Sequence, residues 1–487
     1  MIAKRRSVGI AAALTTALLL LCAFAMFSAS SDAAKKKKKV GASVPGLAIG
    51  IDDSGLHDAK TAGLSLKRAG DVGASYIRVS VDWFKVAPNT ATKPAGFDPR
   101  NPGDPNYAWG AVDEQVKRAS AAGFMPFITL LNAPKWAQNG TAPSSAYAGA
   151  GAWKPSPVEF GNFAHAAAVR YSGTYSDATS GGILPKVSIW QAWNEPNLPL
   201  FLAPTSPELY RSLLNSMYDE VKAVQPASTV VTAGLAPVKS STPAAFPKDF
   251  AQTLLCLTPS NGWFDKDPNC PALAKFDVMS LHPYSLRAKP TQRAAVIGNM
   301  FVADVVDFGQ MLKAASSSGA VNPGAKRIWI TEFAWFTNPP NKSVGDKPEV
   351  AGKRTSISLY LLWHAGVTQI TWFALSDNSG AIIKGGGLWD ADGKPKPTYY
   401  ALRFPFFVRQ SGHKLLIWGR SPYASSRKVS IKVKQGDGYE LVTKIKPSPG
   451  GVFQARITID SKKSTTYFAQ QGTTLSPSMN SREYFNN

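Results

Sequence analysis

Three observations predict the fold class. Short apolar strands alternate with amphipathic helices from residue 47 to about 410. No Gly-rich phosphate loop follows the first strand, which argues against a doubly wound open sheet. After residue 410 the pattern changes to short strands broken by Gly and Pro. Together they predict an α/β protein: a (β/α)8 TIM barrel followed by a small all-β, sandwich-like domain.

The eight strands are predicted at Leu47–Ile51, Tyr76–Val81, Phe124–Leu130, Val187–Trp193, Thr229–Leu235, Phe276–His282, Ile328–Glu332 and Gln369–Leu375. Each run is short and rich in β-branched and aromatic residues, as strands buried on both faces are. The helices between them carry start and stop signals. Trp109–Ala121 places Val112, Val116 and Ala119 on one face and stops at Gly123. Val158–Tyr171 is apolar at helical spacing. Ser206 and Pro207 open the next helix as N-cap and first-turn residue. Beyond the break at Ser411-Gly412-His413, strands are expected at Lys414–Trp418, Lys428–Val433, Glu440–Lys444, Phe453–Ile459 and Thr465–Gln470. The expected organisation is a leader over 1–34, a basic linker over 35–45, the barrel over 46–410 and the β domain over 411–487.

The 487 residues are 44% hydrophobic and 18% charged, a globular composition. The N-terminus has the form of an export signal: Lys4, Arg5 and Arg6, an apolar run from Val8 to Phe27, then small residues at Ser28-Ala29-Ser30 and Ser31-Asp32-Ala33. An uncleaved anchor is the competing reading, since the run nearly spans a bilayer. Leu21 before Cys22 is too large for the usual lipoprotein signal. The expected location is secreted or associated with the cell envelope. Lys35 to Lys39 form a solvated linker that can also touch an anionic envelope or wall polymer. Residues 1–39 carry eight basic side chains and one acidic, so the rest of the chain holds +15 of the total +22. Nucleic-acid-binding motifs are absent from the sequence, and no nucleic-acid partner is expected. Cys256 and Cys270, 14 positions apart in a loop-rich stretch, are expected to pair in an oxidising compartment.

The sharpest motif is Trp193-Asn194-Glu195-Pro196-Asn197 at the end of the fourth strand. Trp329-Ile330-Thr331-Glu332-Phe333 ends the seventh. In a barrel these strand ends surround one pocket, so two glutamates 137 residues apart face each other. Splitting a glycosidic bond needs such a pair: one carboxylic acid to protonate the leaving oxygen, one carboxylate to attack or to activate water.

At these motifs the chain resembles glycoside hydrolase clan A over about residues 47–410. The resemblance implies a retaining glycosidase with Glu195 as acid/base and Glu332 as nucleophile, acting on an oligo- or polysaccharide without metal or organic cofactor. It further implies that Asn194 meets the sugar 2-hydroxyl and that Arg78 holds the nucleophile ionised. Tyr284 would hydrogen-bond Glu332, His282 would contact substrate or acid/base, and Trp372 would stack beneath the cleaved sugar. The chain departs from family 5 at the third strand end, where Leu131-Asn132-Ala133-Pro134 lacks the usual His. Asn132 is then a candidate for a sugar hydroxyl. The wording of the two motifs is closer to family 39. Trp83, Trp136, Trp335, Phe336 and Trp389 near strand ends suggest an aromatic groove. Asp52 and Asp53 after the first strand are read either as sugar-hydroxyl ligands or as loop caps. Two rivals share these residues: a transglycosylase, and a carbohydrate-binding protein without activity. A Ser esterase does not fit, because there is no Gly-x-Ser-x-Gly elbow.

Overall fold

The structure is a computed structural model. It describes residues 44–177, 181–238, 244–324, 326–378, 384–423, 427–460 and 464–486. The leader, the lysine run and Cys22 lie outside these residues. Among the described residues no helix is long and apolar enough to cross a membrane.

Eight parallel strands close into a barrel: β1 (Ala48–Asp52), β2 (Tyr76–Asp82), β3 (Met125–Leu131), β4 (Ile189–Ala192), β5 (Thr229–Leu235), β6 (Val278–Leu281), β7 (Arg327–Phe333) and β8 (Val367–Phe373). Their spatial order follows the chain, and β8 pairs with β1. One helix follows each strand: α1 (Ala59–Asp71), α2 (Gly110–Ala121), α3 (Pro157–Arg170), α4 (Pro207–Val224), α5 (Pro247–Leu254), α6 (Val305–Ser317), α7 (Pro348–His364) and α8 (Pro397–Arg403). All eight strands fall where the apolar alternation predicts them. Ser206 caps α4 through Leu209 N, with Pro207 in the first turn, as its sequence signals.

The inside of the barrel is layered. At the N-terminal strand ends Phe127, Ile189, Val231, Val278 and Trp329, with Tyr76 against them, form their own apolar cluster. Two residues further along five of these six strands the inward positions turn polar: Arg78, Thr129, Gln191, Ser280 and Thr331 are hydrogen-bonded across the lumen. Gln191 on β4 reaches Thr331 on β7, and these strands are not neighbours. Only side chains inside the barrel can do that. The dry bottom layer and the polar layer above it form a rigid floor for whatever sits at the C-terminal mouth.

After α8 come two antiparallel sheets. β9 (Phe406–Ser411), β10 (Lys414–Arg420) and β13 (Val452–Thr458) make the first. β11 (Val429–Gln435), β12 (Gly438–Ile445) and β14 (Thr466–Gln471) make the second, extended by two short strands at Thr474–Leu475 and Met479–Asn480. The sequence reading lacked β9. Pro405 closes the preceding helix, so the Phe406-Phe407-Val408 run behind it carried a strand signal that was passed over. The first sheet is seated on α7, where Phe407 stacks on Tyr360 at 4.0 Å between ring centroids and Trp418 meets the Tyr360 edge. Residues 44–487 are one compact unit. Cys256 and Cys270 form a disulfide with Cα atoms 5.6 Å apart, enclosing the hairpin Leu257–Ser260 and Trp263–Lys266.

Candidate active site

Glu195 and Glu332 meet at the barrel mouth. Strand alternation alone would not aim both inward, because Thr331 already takes the inward position on β7. The β7–β8 register shifts between Ile330 and Phe333, which turns Glu332 towards the mouth as well. On the other side the backbone is strained at the motif itself. Trp193 and Glu195 have φ of 71° and 37°, and Asn132 at the end of β3 has 61°. Non-glycine residues adopt this region at a cost of order 1–3 kcal/mol each. Their surroundings fix them there. Trp193 donates its indole N–H to Phe201 O, and Asn197 is bonded to Ala236 and Ala245.

The two carboxylates have different neighbours. Glu332 accepts from Tyr284 Oη at 2.8 Å and from Arg78 Nη1 at 3.2 Å. Arg78 is buried and spends its other donors on Asp52 (2.8 Å), Asn194 Oδ1 (2.8 Å), Thr129 and Gln191. Asn194 Oδ1 accepts from Arg78, which leaves its amide N–H2 as the donating end. Glu195 accepts from His282 Nδ1 at 2.8 Å. The Thr331 hydroxyl accepts from Gln191 and stands 2.9 Å from His282 Nε2, which fits a hydroxyl donating to Nε2 and an imidazole protonated on Nδ1.

The electrostatics separate the pair further. Burial pushes the Glu195 carboxyl up to about 7, with Arg78 the opposing influence. Burial lowers His282 to about 4, so the ring is neutral at pH 7. Burial also raises Glu332, and the Glu195 charge adds to it, while Arg78 pulls it back down. Tyr284 is pushed well above its ordinary range by burial and by Glu332 and keeps its proton to donate. Glu332 therefore has two direct donors that favour its anion, and Glu195 has one neutral imidazole. Ligand atoms of Glu195, His282 and Glu332 all lie within 4.8 Å of one another. Such a trio is of a kind that could hold a cation, but both His282 nitrogens are already engaged within the protein.

Other expected site residues are placed differently. Asp52 pairs with Arg78 instead of facing outward. Asp53 is a cap: its carboxylate accepts from Gly55 N, Leu375 N and Ser65, tying β1 to the end of β8. Asn132 donates to Asp82 at 2.7 Å. Trp136 is half-buried, gives its N–H to Pro88 O and packs edge-on against Trp83 and Phe97. Trp335 is buried between β7 and α7, donating to Ser358 beneath the Arg354 guanidinium. Trp372 is 0% exposed, with its N–H on Gly386 O. Trp83, Phe336 and Trp389 are buried too. The expected aromatic groove is thus mostly packing beneath long loops. The slip at Trp372 is one residue: Gln369, Thr371 and Phe373 share the inward side of β8, and Trp372 points to the helices. Phe373, half-buried and in register with Asp52, is the aromatic at the mouth.

Reading the sequence also missed the polar layer of Thr129, Gln191, Ser280 and Thr331. A single polar residue inside an otherwise apolar strand is its signal. Gly234 was missed as well: a Cβ there would stand 2.0 Å from His282 Nε2. Beside the mouth, over the loops after β2 and β3, lies a cavity of about 440 Å³ lined by Phe84, Asn89, Ala133, Lys135, Gln138 and Trp153 among others.

The fold and site define a (β/α)8 barrel with an unequal carboxylate pair at its C-terminal mouth. No family model and no curated protein matches the chain. Among solved structures it is similar to a family 39 glycoside hydrolase from the gut symbiont Bacteroides cellulosilyticus WH2, with a TM-score of 0.51 and 15% identity, covering 85% of this chain and 81% of that one. A family 39 enzyme from Xanthomonas axonopodis pv. citri matches at 0.48 and 13%, covering 85% and 92%. A family 39 β-xylosidase from Caulobacter crescentus matches at 0.47 and 16%, covering 80% and 82%. At such identities the likeness is one of fold.

Proposed function

We propose that the chain is an exported retaining glycosidase that cleaves an O-glycosidic bond of an oligo- or polysaccharide. One observation carries the reading: two carboxylates with oxygens within 4.8 Å, in unequal environments, at the open end of a barrel. Retaining glycosidases hold their carboxyl groups about 5–5.5 Å apart; inverting ones leave room for water at about 6.5–9.5 Å.

Glu332, held as an anion by Arg78 and Tyr284, attacks the anomeric carbon. Glu195 protonates the leaving oxygen. Its carboxyl at about 7 keeps the proton near neutrality until it is needed. Departure of the leaving group leaves Glu195 ionised beside His282. It then takes a proton from water as that water attacks the glycosyl ester, and Glu332 is released. In this reading the Asn194 amide donates to or accepts from the 2-hydroxyl and Phe373 meets the sugar face. The fold likeness to a family 39 enzyme agrees with this chemistry. It leaves the sugar and linkage open.

The test is product release from a broad glycan panel read by mass, with the Glu332→Gln protein beside the unchanged chain. The reading expects one glycan class to yield sugars and the variant to fall by at least about 10³-fold. Equal glycan binding by both proteins with no product from either would contradict it.

A further inference from the structure

The outer face of the second β sheet is built differently from the rest of the surface. On β11 the inward residues Val429, Ile431 and Val433 are buried, so Ser430, Lys432 and Lys434 point out. The register extends this face over neighbouring strands. Ser430 lies between Lys444 and Gln470, Lys432 between Leu441 and Phe468, and Lys434 opposite Tyr439, while Leu475 pairs with Gln470. Three rungs thus carry three lysines, an aromatic pair and two leucines, with no carboxylate. Glu440 pairs with Val433 and belongs to the other side.

The apolar groups here are unusually open. Tyr439 is 62% exposed, Leu475 53% and Leu441 48%. Tyr439 and Phe468 form a T-shaped pair with ring centroids 4.8 Å apart, which makes them one aromatic unit on this face. Single exposed apolar residues are ordinary; several in register on one sheet face mark an interaction surface. Residues 406–487 hold thirteen basic and four acidic side chains, so they carry +9 of the chain's +22.

We infer that this face binds an anionic glycan chain laid across β12, β11 and β14. Sugar rings present C–H faces that stack on Tyr439 and pack against Leu441 and Leu475. Lys432 and Lys434, one same-face step of about 6.6–6.8 Å apart, and Lys444 on the next rung supply the countercharge. A nucleic acid is the other polyanion with rings. The face lacks arginine, the residue best suited to phosphate forks and base stacking. The choice of glycan rests also on the carbohydrate chemistry proposed for the barrel.

The test measures binding of the intact chain to polygalacturonate, neutral dextran, inorganic polyphosphate and a single-stranded oligothymidine. The variants are Lys432→Gln/Lys434→Gln/Lys444→Gln, Tyr439→Ala, and a control with equal charge loss on exposed barrel lysines, Lys60→Gln/Lys186→Gln/Lys313→Gln. Polygalacturonate should bind well and dextran hardly at all. The face triple should weaken polygalacturonate binding at least tenfold, Tyr439→Ala about fivefold, and the control less than twofold. Polyphosphate, which has charge and no ring, should be indifferent to Tyr439→Ala. Activity on a small soluble glycoside should be unchanged in all three variants. Equal loss in the control, no effect of Tyr439→Ala on polygalacturonate, or tighter binding of oligothymidine would each overturn the proposal. So would a dimer in sedimentation that Tyr439→Ala converts to monomer, since the face would then belong to a second copy. Barrel inactivity on every glycan with this binding pattern intact would count against the hydrolase reading alone.

Discussion

At the scale of single residues, two glutamates differ because their partners differ. Both are mostly buried, with side chains 12% and 16% exposed. Arg78 and Tyr284 both donate to Glu332, and among the described residues a neutral His282 is the side chain hydrogen-bonded to Glu195. Glu195 thus keeps its proton in the native state up to about 7, whereas the unfolded chain releases it near 4.5. A native pKa raised in this way gives stability that is complete below about 4.5 and is lost as pH climbs through about 7. The expected outcome for Glu195→Gln is a chain with the same melting temperature as the parent at pH 4. At pH 8 it should be more stable, by no more than about 3 kcal/mol. The parent's bond cleavage should fall off above about pH 7. Melting curves across pH check the first statement, and identical pH slopes in the two proteins would sink it. Glu195, Glu332, His282 and Tyr284 could be named as candidates because each stands in a motif at or just past a strand end, whereas Arg78, inside β2, came from the resemblance alone. Trp372 was misassigned because a run as apolar as Thr371-Trp372-Phe373 hides which residue faces in.

At the scale of elements, the strands do more than present their last residues. β4, β6 and β7 each place one polar side chain a step below the mouth, and Gln191, Ser280 and Thr331 hold His282 from beneath. β5 contributes a gap at Gly234, which lets the imidazole lie flat against the strand. Gly234→Ala puts a methyl group where the ring is. The expected result is a folded chain whose kcat falls at least about tenfold, with the pH profile of Glu195 displaced and KM little changed. Unaltered kinetics would show that the ring position does not matter. Strand positions were easy to read, since eight apolar runs at regular spacing leave few alternatives. The bulge on β7 and the left-handed turn at Glu195 were not, because both depend on contacts made across the lumen. β9 escaped for a simpler reason: the domain break was placed after it, at Ser411-Gly412-His413, although Pro405 already separates its apolar run from α8.

At the scale of the whole molecule, the β sheets are fastened to the barrel at its N-terminal strand ends. Tyr360 and Trp363 on α7 pack against Phe407 and Trp418. Trp363 also donates to Pro45 O, and Arg420 binds the same end of the barrel, donating to Leu47 O and Gly73 O at 2.9 Å each. Calorimetry should therefore show a single unfolding transition for residues 44–487, and Tyr360→Ala should lower it by about 3–5 kcal/mol, the usual range for losing a large buried aromatic. Two separated transitions would mean the seam is weak. Charge and leader composition suggested an exported chain at work among polyanions, and the lysine face on the outer sheet extends that idea. The central claim remains the carboxylate pair, and the anomeric form of the first product tests it most directly. Proton NMR of a glycan that the chain cleaves, followed from the first minutes before mutarotation, should show the substrate's own anomer appearing first. The opposite anomer appearing first would mean direct attack by water, and would contradict Glu332 as nucleophile.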